Sequence, residues 1–509
     1  MNQHENTRAP SLRALAREAL DALVLERAEM DAGFALWLDA RLAVSVRAAE
    51  GTQLDPAPFR RRAEALLTAV LGSGRRRRRW DERGAGVDEA ALDELLGAAE
   101  PFLAAGRGAD ALAILKPMAE ALADHWPQCA DGDETLHEFF PRLDGMVAQA
   151  VLMEGVSQEA RDDLADDLSG WQADLAEYGA DDAFSTAVAA CMQGWDEPGL
   201  QDALAGRARH WPLGGKGDLL EDALTRARLA ALDAMGRSEA YLHLSRAAGF
   251  HCDHAVKLVQ MGRVDEAVAI ARAHLVAPDD VLCLAEAVAA AGKIDAALDL
   301  AAWGLAAPAR SDGDGRRLGS GRIPLARWLR EAAHQAGRRD VMLTAARVAF
   351  EESRTREDFR AASKLAGPKD WPALRDDLLA ALMAPPHAFE RIEILLDEDM
   401  LDQAVACVDP HAAYFSAYDD TLERLAEQAY GDHPDWAIAL AFRMADPIMT
   451  EGRSAHYETA ARWLGIAALA HVASGRPDAW IARLEDLIET HRRKHKLRPL
   501  LEALRRVAS

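Results

Sequence analysis

Three phrases decide how this chain folds: Gly236-Arg237-Ser238-Glu239-Ala240, Gly262-Arg263-Val264-Asp265-Glu266-Ala267 and Gly292-Lys293-Ile294-Asp295-Ala296-Ala297. Each closes one helix-like segment and opens the next. Past Gly262 the apolar positions are Val264, Ala267, Val268, Ala271 and Leu275; past Gly292 they are Ile294, Ala297, Leu298, Ala301 and Leu305, at the same offsets. That stepping keeps side chains on one stripe of a helix that turns every ~3.6 residues. The glycine supplies a positive φ where a helix ends, and the Asp or Glu that follows falls in the first turn of the next helix, near its positive pole. The unit is a helical hairpin.

The same phrase recurs outside this stretch. Ala111, Leu112 and Leu115 follow Gly106; Met342, Leu343 and Ala346 follow Gly337; Trp480, Ile481 and Leu484 follow Gly475. Successive intervals along Gly236, Gly262, Gly292 and Gly337 are 26, 30 and 45 residues, so no strict period holds. The expected fold is all-α, an irregular, TPR-like α-solenoid of helical hairpins over 88–384. Before it the sequence predicts a disordered tail (1–11), an N-terminal helical segment (12–72) with three helices carrying Leu12, Leu15, Leu20, Leu23, Leu25, Phe34 and Leu38 on apolar stripes, and a Gly/Arg-rich linker (73–87). After Pro385-Pro386 it predicts a C-terminal helical block (387–509) with a basic end.

Composition agrees with helices. The 509 residues are 50% hydrophobic but only 6% aromatic, and the apolar share leans on Ala and Leu, which favour helices. Alternating β-branched runs are lacking. No apolar run approaches the ~18–20 residues of a membrane helix, and the polar start lacks the apolar core of a secretory signal. Five scattered cysteines (Cys129, Cys191, Cys252, Cys283 and Cys407) read as buried thiols in a reducing cytoplasm. The net charge of −24 argues against the whole chain wrapping nucleic acid. The charge is uneven, though: residues 491–509 carry seven Lys/Arg and one Glu, a +6 end on a −30 remainder.

Catalytic signatures are near misses. His137-Glu138-Phe139-Phe140-Pro141 begins like HExxH but has proline at the second zinc ligand. Gly214-Gly215-Lys216-Gly217 lacks the distant glycine and the Ser/Thr of a phosphate loop, and the Gly-rich stretch 311–322 follows no strand. His251-Cys252-Asp253-His254 groups metal-ligand types, but a structural zinc wants four ligands and no second Cys/His pair lies near. Asp162, Asp163, Asp166 and Asp167 read as a solvated face near a helix start. No catalytic residue, metal ligand or cofactor is expected. The residues with a contact role to offer are basic: Arg75, Arg76, Arg77, Arg78 and Arg79 in the linker, and Arg492, Arg493, Lys494, Lys496 and Arg498 at the end. They could grip phosphates, or the first run could be a solvated linker and the second a cap on the final helix pair.

The last third resembles the C-terminal helical region of bacterial SWIM zinc-finger proteins. The resemblance is carried by His433-Pro434-Asp435-Trp436, Ala445-Asp446-Pro447-Ile448-Met449, His456-Tyr457-Glu458-Thr459-Ala460-Ala461-Arg462-Trp463-Leu464, Trp480 and 491–504, with earlier pieces in Gly194-Trp195-Asp196-Glu197-Pro198 and Lys364-Leu365-Ala366-Gly367. It spans roughly residues 12–506. That family is defined by a CxC…CxH finger ahead of the helices. This chain has no CxC, its single CxH (Cys252-Asp253-His254) lies mid-solenoid, and about eleven residues precede the first helix. The resemblance therefore implies a helical scaffold without a zinc site of its own. The expectation is a cytoplasmic, non-enzymatic interaction scaffold for a protein partner, a separately encoded zinc-finger chain among the candidates. The alternative is a nucleic-acid-associated protein acting through the two basic runs.

Overall fold

The computed structural model describes residues 15–50, 54–73, 89–129, 135–211, 219–306, 321–382, 388–410 and 416–507. The tail 1–11, the arginine run 75–79, the Gly214–Gly217 stretch, residues 311–320 and Pro385-Pro386 lie outside them. Among the described residues every regular element is a helix and none is a strand. None of these helices is long and apolar enough to cross a membrane.

The recurrent glycines are the joints. Gly106, Gly236, Gly262, Gly292, Gly337 and Gly475 have φ between 68° and 78°. After each comes a basic residue whose backbone N–H reaches five residues back to a helix carbonyl: Arg107 to Phe102, Arg237 to Leu232, Arg263 to Leu258, Lys293 to Val288, Arg338 to Ala333 and Arg476 to His471, at 2.8–3.1 Å. This left-handed closure satisfies carbonyls that a helix end leaves unpaired, and the cation sits by the helix's negative pole. The stripes follow. Ala297, Leu298, Ala301 and Leu305 are buried while Asp299 is exposed, and Ala267, Ala271 and Leu275 are buried in the preceding repeat.

Contacts group the chain into two units, 1–271 and 272–509. In the first, Ala57–Ser73 packs on Gly108–Cys129, which packs on Thr135–Val151. The core between these helices holds Phe59, Leu96, Ile114, Trp126, Leu143 and Phe184. Trp126 meets Phe140 edge-on at 5.0 Å between ring centres, and Phe140 meets Phe184 at 6.1 Å. Asp144 is buried here and accepts from the N–H groups of Thr186 (3.0 Å) and Ala187 (2.7 Å) at the start of helix Ser185–Gln193. A smaller cluster gathers Leu200, Trp211, Leu232 and Leu244. Beside it Arg228, 1% exposed, donates to the Gly194 carbonyl at 3.0 Å and to Glu197 at 2.7 Å, and its guanidinium lies 5.3 Å from the Trp211 ring centre. One buried cation thus ties down the loop Gly194-Trp195-Asp196-Glu197-Pro198.

Among the described residues the N-terminal segment holds the helices Arg17–Met30, Ala32–Glu50 and Ala57–Ser73, of which Arg17–Met30 buries no residue. Leu15, Leu20, Leu23 and Leu25 are exposed. The apolar stripe is present, but the first helix packs on Ala32–Glu50 only through a side that leaves Val24 and Ala28 half-buried. The cysteines also depart from expectation. Cys191 is buried, which pushes its thiol up to about 12, whereas Cys283 is exposed. On helix Pro278–Ala290 the core face is Val281, Leu284, Ala285 and Val288, which turns position 283 outward.

In the second unit one buried cluster runs from Ala346 to Leu501, with members on both sides of residues 385–386. Tryptophans of the C-terminal motifs are packing anchors. Trp463 is fully buried and donates to the Ala417 carbonyl at 2.9 Å; Trp436 donates to that of Val408 at 2.9 Å. Two carboxylates act as hubs. Asp358, 0% exposed, accepts from Arg327 (2.6 Å), Arg330 (2.8 Å), Ser353 (2.7 Å) and Thr355 (3.2 Å). Asp397 accepts from Arg356 (2.6 Å), Arg360 (2.9 Å) and Arg424 (3.1 Å).

Candidate functional site

The Gly236 and Gly262 phrases also help build a cleft. Helix Ser238–Ala248 ends on Gly249 at φ 79°, helix His251–Gln260 begins two residues later, and the Gly262 joint starts Val264–His274. Between these three short helices opens a cleft of about 370 Å³. Its apolar lining is Leu242 and Leu258, both buried, with Ile270 half-buried and Ala269 exposed. Its rim is polar. Glu239, His243 and Arg246 are spaced by four and three residues, which puts them on one stripe of the first helix. Arg263 and Glu266 come from the third.

His254 is the wall residue with the most constrained chemistry. It is 7% exposed, and its Nδ1 lies 3.0 Å from the Leu242 carbonyl and 3.1 Å from the Ser245 hydroxyl. A carbonyl oxygen can only accept, so the Nδ1 proton points at Leu242 and Nε2 is left as an acceptor. Burial, aided by the nearby charges of Arg246 and Arg263, holds the imidazole pKa below its ordinary value, so the ring is neutral at pH 7. Nε2 has no partner among the described residues. His243 donates its Nδ1 proton to the Leu204 carbonyl at 3.0 Å. Gly206 lets that ring in: a Cβ there would stand 3.0 Å from the imidazole.

The charges on the rim are unequally committed. Arg263 and Glu266 form a two-armed pair at 2.7 and 2.8 Å, whose hydrogen bonds lower the Glu266 pKa and raise that of Arg263. Arg246 is exposed and makes no ion pair among the described residues, and Glu239 is exposed on the same stripe. Two other clefts, of about 450 Å³ beside Lys116 and Asp163 and about 390 Å³ between Leu305, Leu329 and Val341, are lined mainly by apolar side chains.

The sequence-level candidates fall elsewhere. Arg75, Arg76, Arg77, Arg78 and Arg79 lie outside the described residues. At the C-terminal end Arg492 pairs with Glu489, Arg498 with Glu502 at 2.8 Å, and Lys494 donates to the Met449 carbonyl at the end of helix Pro434–Thr450. Arg493 and Lys496 are exposed and pair with nothing among the described residues. His251, Cys252 and His254 share one helix, but the His254 ring is turned into the core bonds just described. Among the described residues no group of three or more His, Cys, Asp or Glu could hold a metal ion. In the Asp cluster, Asp162 accepts from Gln158 at 2.7 Å and Asp167 pairs with Lys116 at 2.6 Å. The sequence alone did not single out His243 or Arg246, and marked Glu239 only as a first-turn acid; the four-then-three spacing on the stripe of Leu242 was the signal available for them.

No protein-family model and no curated protein matches the chain.

Proposed function

We propose that this protein is a cytoplasmic, non-enzymatic interaction scaffold, an irregular TPR-like solenoid of helical hairpins that holds a segment of a protein partner against its repeat helices. The observation that carries the reading is the cleft between Ser238–Ala248, His251–Gln260 and Val264–His274. An apolar lining gives a bound segment area to bury, and a few convergent polar groups give it orientation. The shared ancestry with SWIM zinc-finger proteins is part of the same proposal, and a separately encoded zinc-finger chain is one candidate partner. The decisive experiment is affinity capture with the full chain at about 150 and 300 mM salt, a range over which surface charge contacts are progressively screened. The partner is expected to survive both salts and the replacement of arginines 75–79 by Ser, and to be lost from Ile270→Asp, a charge placed on the apolar lining.

Arg493 and Lys496 favour a second reading, nucleic-acid association, because they are exposed at the basic end and pair with nothing among the described residues. Five phosphate contacts by arginines 75–79 would give log K a slope of about −4.5 against log salt on duplex DNA. A partner lost with those arginines, or nucleic acid retained at about 300 mM salt, would replace the scaffold reading with this one.

A further inference from the structure

Within the cleft, three groups are arranged for one kind of chemistry. His254 Nε2 is an acceptor on a nearly buried ring whose other nitrogen is spent on Leu242. Nε2 is not sealed from solvent, so a donor that enters the cleft can reach it. Arg246 is a planar, two-armed cation without an ion-pair partner among the described residues, suited to a carboxylate. Leu242, Leu258 and Ile270 offer apolar surface between them. A ligand that answers all three carries a single N–H donor, a carboxylate close to it and an apolar side chain. We propose that the cleft binds the C-terminal residue of a peptide: Arg246 pairs with the α-carboxylate, His254 Nε2 accepts that residue's backbone N–H, and its side chain packs on Leu242, Leu258 and Ile270.

The other charges narrow the choice. Glu266 is already committed to Arg263, and Glu239 stands on the Arg246 stripe, so the rim is close to neutral and does not favour a doubly charged phosphate. A free amino acid offers the same carboxylate but an ammonium with three donors, of which Nε2 can take one, whereas a peptide N–H has a single proton to place. This inference rests on the scaffold reading and deepens it by naming the part of the partner that enters the cleft.

The test uses the full chain and three small probes: N-acetyl-leucine, N-acetyl-leucinamide and free leucine, each followed by saturation-transfer NMR on the probe. N-acetyl-leucine is expected to give a saturable signal, its amide one at least about fivefold weaker, and free leucine a weaker one than N-acetyl-leucine. Arg246→Gln, at an exposed position, is expected to abolish the preference for acid over amide without moving the melting temperature. His254→Gln is expected to weaken N-acetyl-leucine binding; because this ring also makes core bonds, the Arg246 variant keeps the test decisive if the His254 variant fails to fold. Equal signals from acid and amide, an unchanged preference in Arg246→Gln, no signal from N-acetyl-leucine, or tighter binding of free leucine would each overturn the proposal. The two failures are separable. A captured partner that is indifferent to Arg246→Gln refutes this inference alone, while a chain that captures no protein refutes the scaffold reading.

Discussion

Replacing Asp358 by Asn keeps the shape of the side chain and removes only its charge. The carboxylate is fully buried, and burial alone would raise its pKa. Hydrogen bonds from Arg327, Ser353 and Arg330 outweigh that and bring it from 3.8 down to about 2. A shift of that size corresponds to about 2 kcal/mol of stability. The asparagine would also leave Arg330, mostly buried, facing a neutral group, and breaking a buried ion pair from one side costs about 3–5 kcal/mol. Arg327 is 38% exposed and can turn to water, which discounts the loss. Asp358→Asn is therefore expected to lose about 2–3 kcal/mol at pH 7, read by urea unfolding, with faster amide exchange along helices Arg322–Gln335 and Arg339–Ser353. The pH dependence has a definite sign. Because the folded pKa is depressed, the contribution is present above the unfolded value of 3.8 and lost as pH falls through about 2. Wild type and variant should converge over that window. A variant within about 0.5 kcal/mol of wild type at pH 7, or a difference that stays constant down to pH 2.5, would refute the hub.

The remaining predictions concern the stripe, a joint and a second carboxylate. Leu298→Asp should cost several kcal/mol, roughly the penalty of an unpaired buried charge, whereas Asp299→Ala on the outer side should stay within about 0.5 kcal/mol; equal melting of the two would overturn the face assignment. Gly292→Ala should cost about 1 kcal/mol from left-handed backbone strain alone, since no atom lies within 4 Å of the added Cβ. An unchanged urea midpoint there would mean that the joint tolerates an L side chain. At Asp144 burial outweighs the Thr186 and Ala187 bonds and raises the pKa to about 6. The stabilisation that follows is fully present below about 3.8 and is lost as pH rises through about 6. Wild type should therefore gain about 2–3 kcal/mol over Asp144→Asn between pH 7 and 4, and parallel stability curves would refute the raised value.

The helix joints were legible because their code is local. A glycine for the left-handed turn and an acid for the next first turn fall within six residues, and each acts on backbone within a turn of itself. The leucines of the first helix show the complementary limit: periodicity says which face could be buried, not whether anything covers it. Hubs such as Arg228 and Asp358 left no readable mark, since their partners Glu197 and Arg327 stand 31 residues away in each case. Which of many Arg and Asp side chains end up inside is decided by tertiary packing. The His251–His254 quartet was legible as unusual, but its role depended on where one ring nitrogen pointed, which adjacency in sequence does not specify.

The Arg228 clamp has a consequence for how the chain is made. The Gly194 carbonyl and the Glu197 carboxylate receive their donor from a residue synthesised 34 and 31 positions later. At ~5–20 residues per second, the ribosome adds that side chain about 2–6 s after Glu197. Over that interval the loop is still enclosed by the ribosome, so it cannot take its closed form until position 228 has emerged as well. A neutral side chain at position 228 removes the clamp and should leave the emerged loop open to an added protease for longer during synthesis than in the wild type.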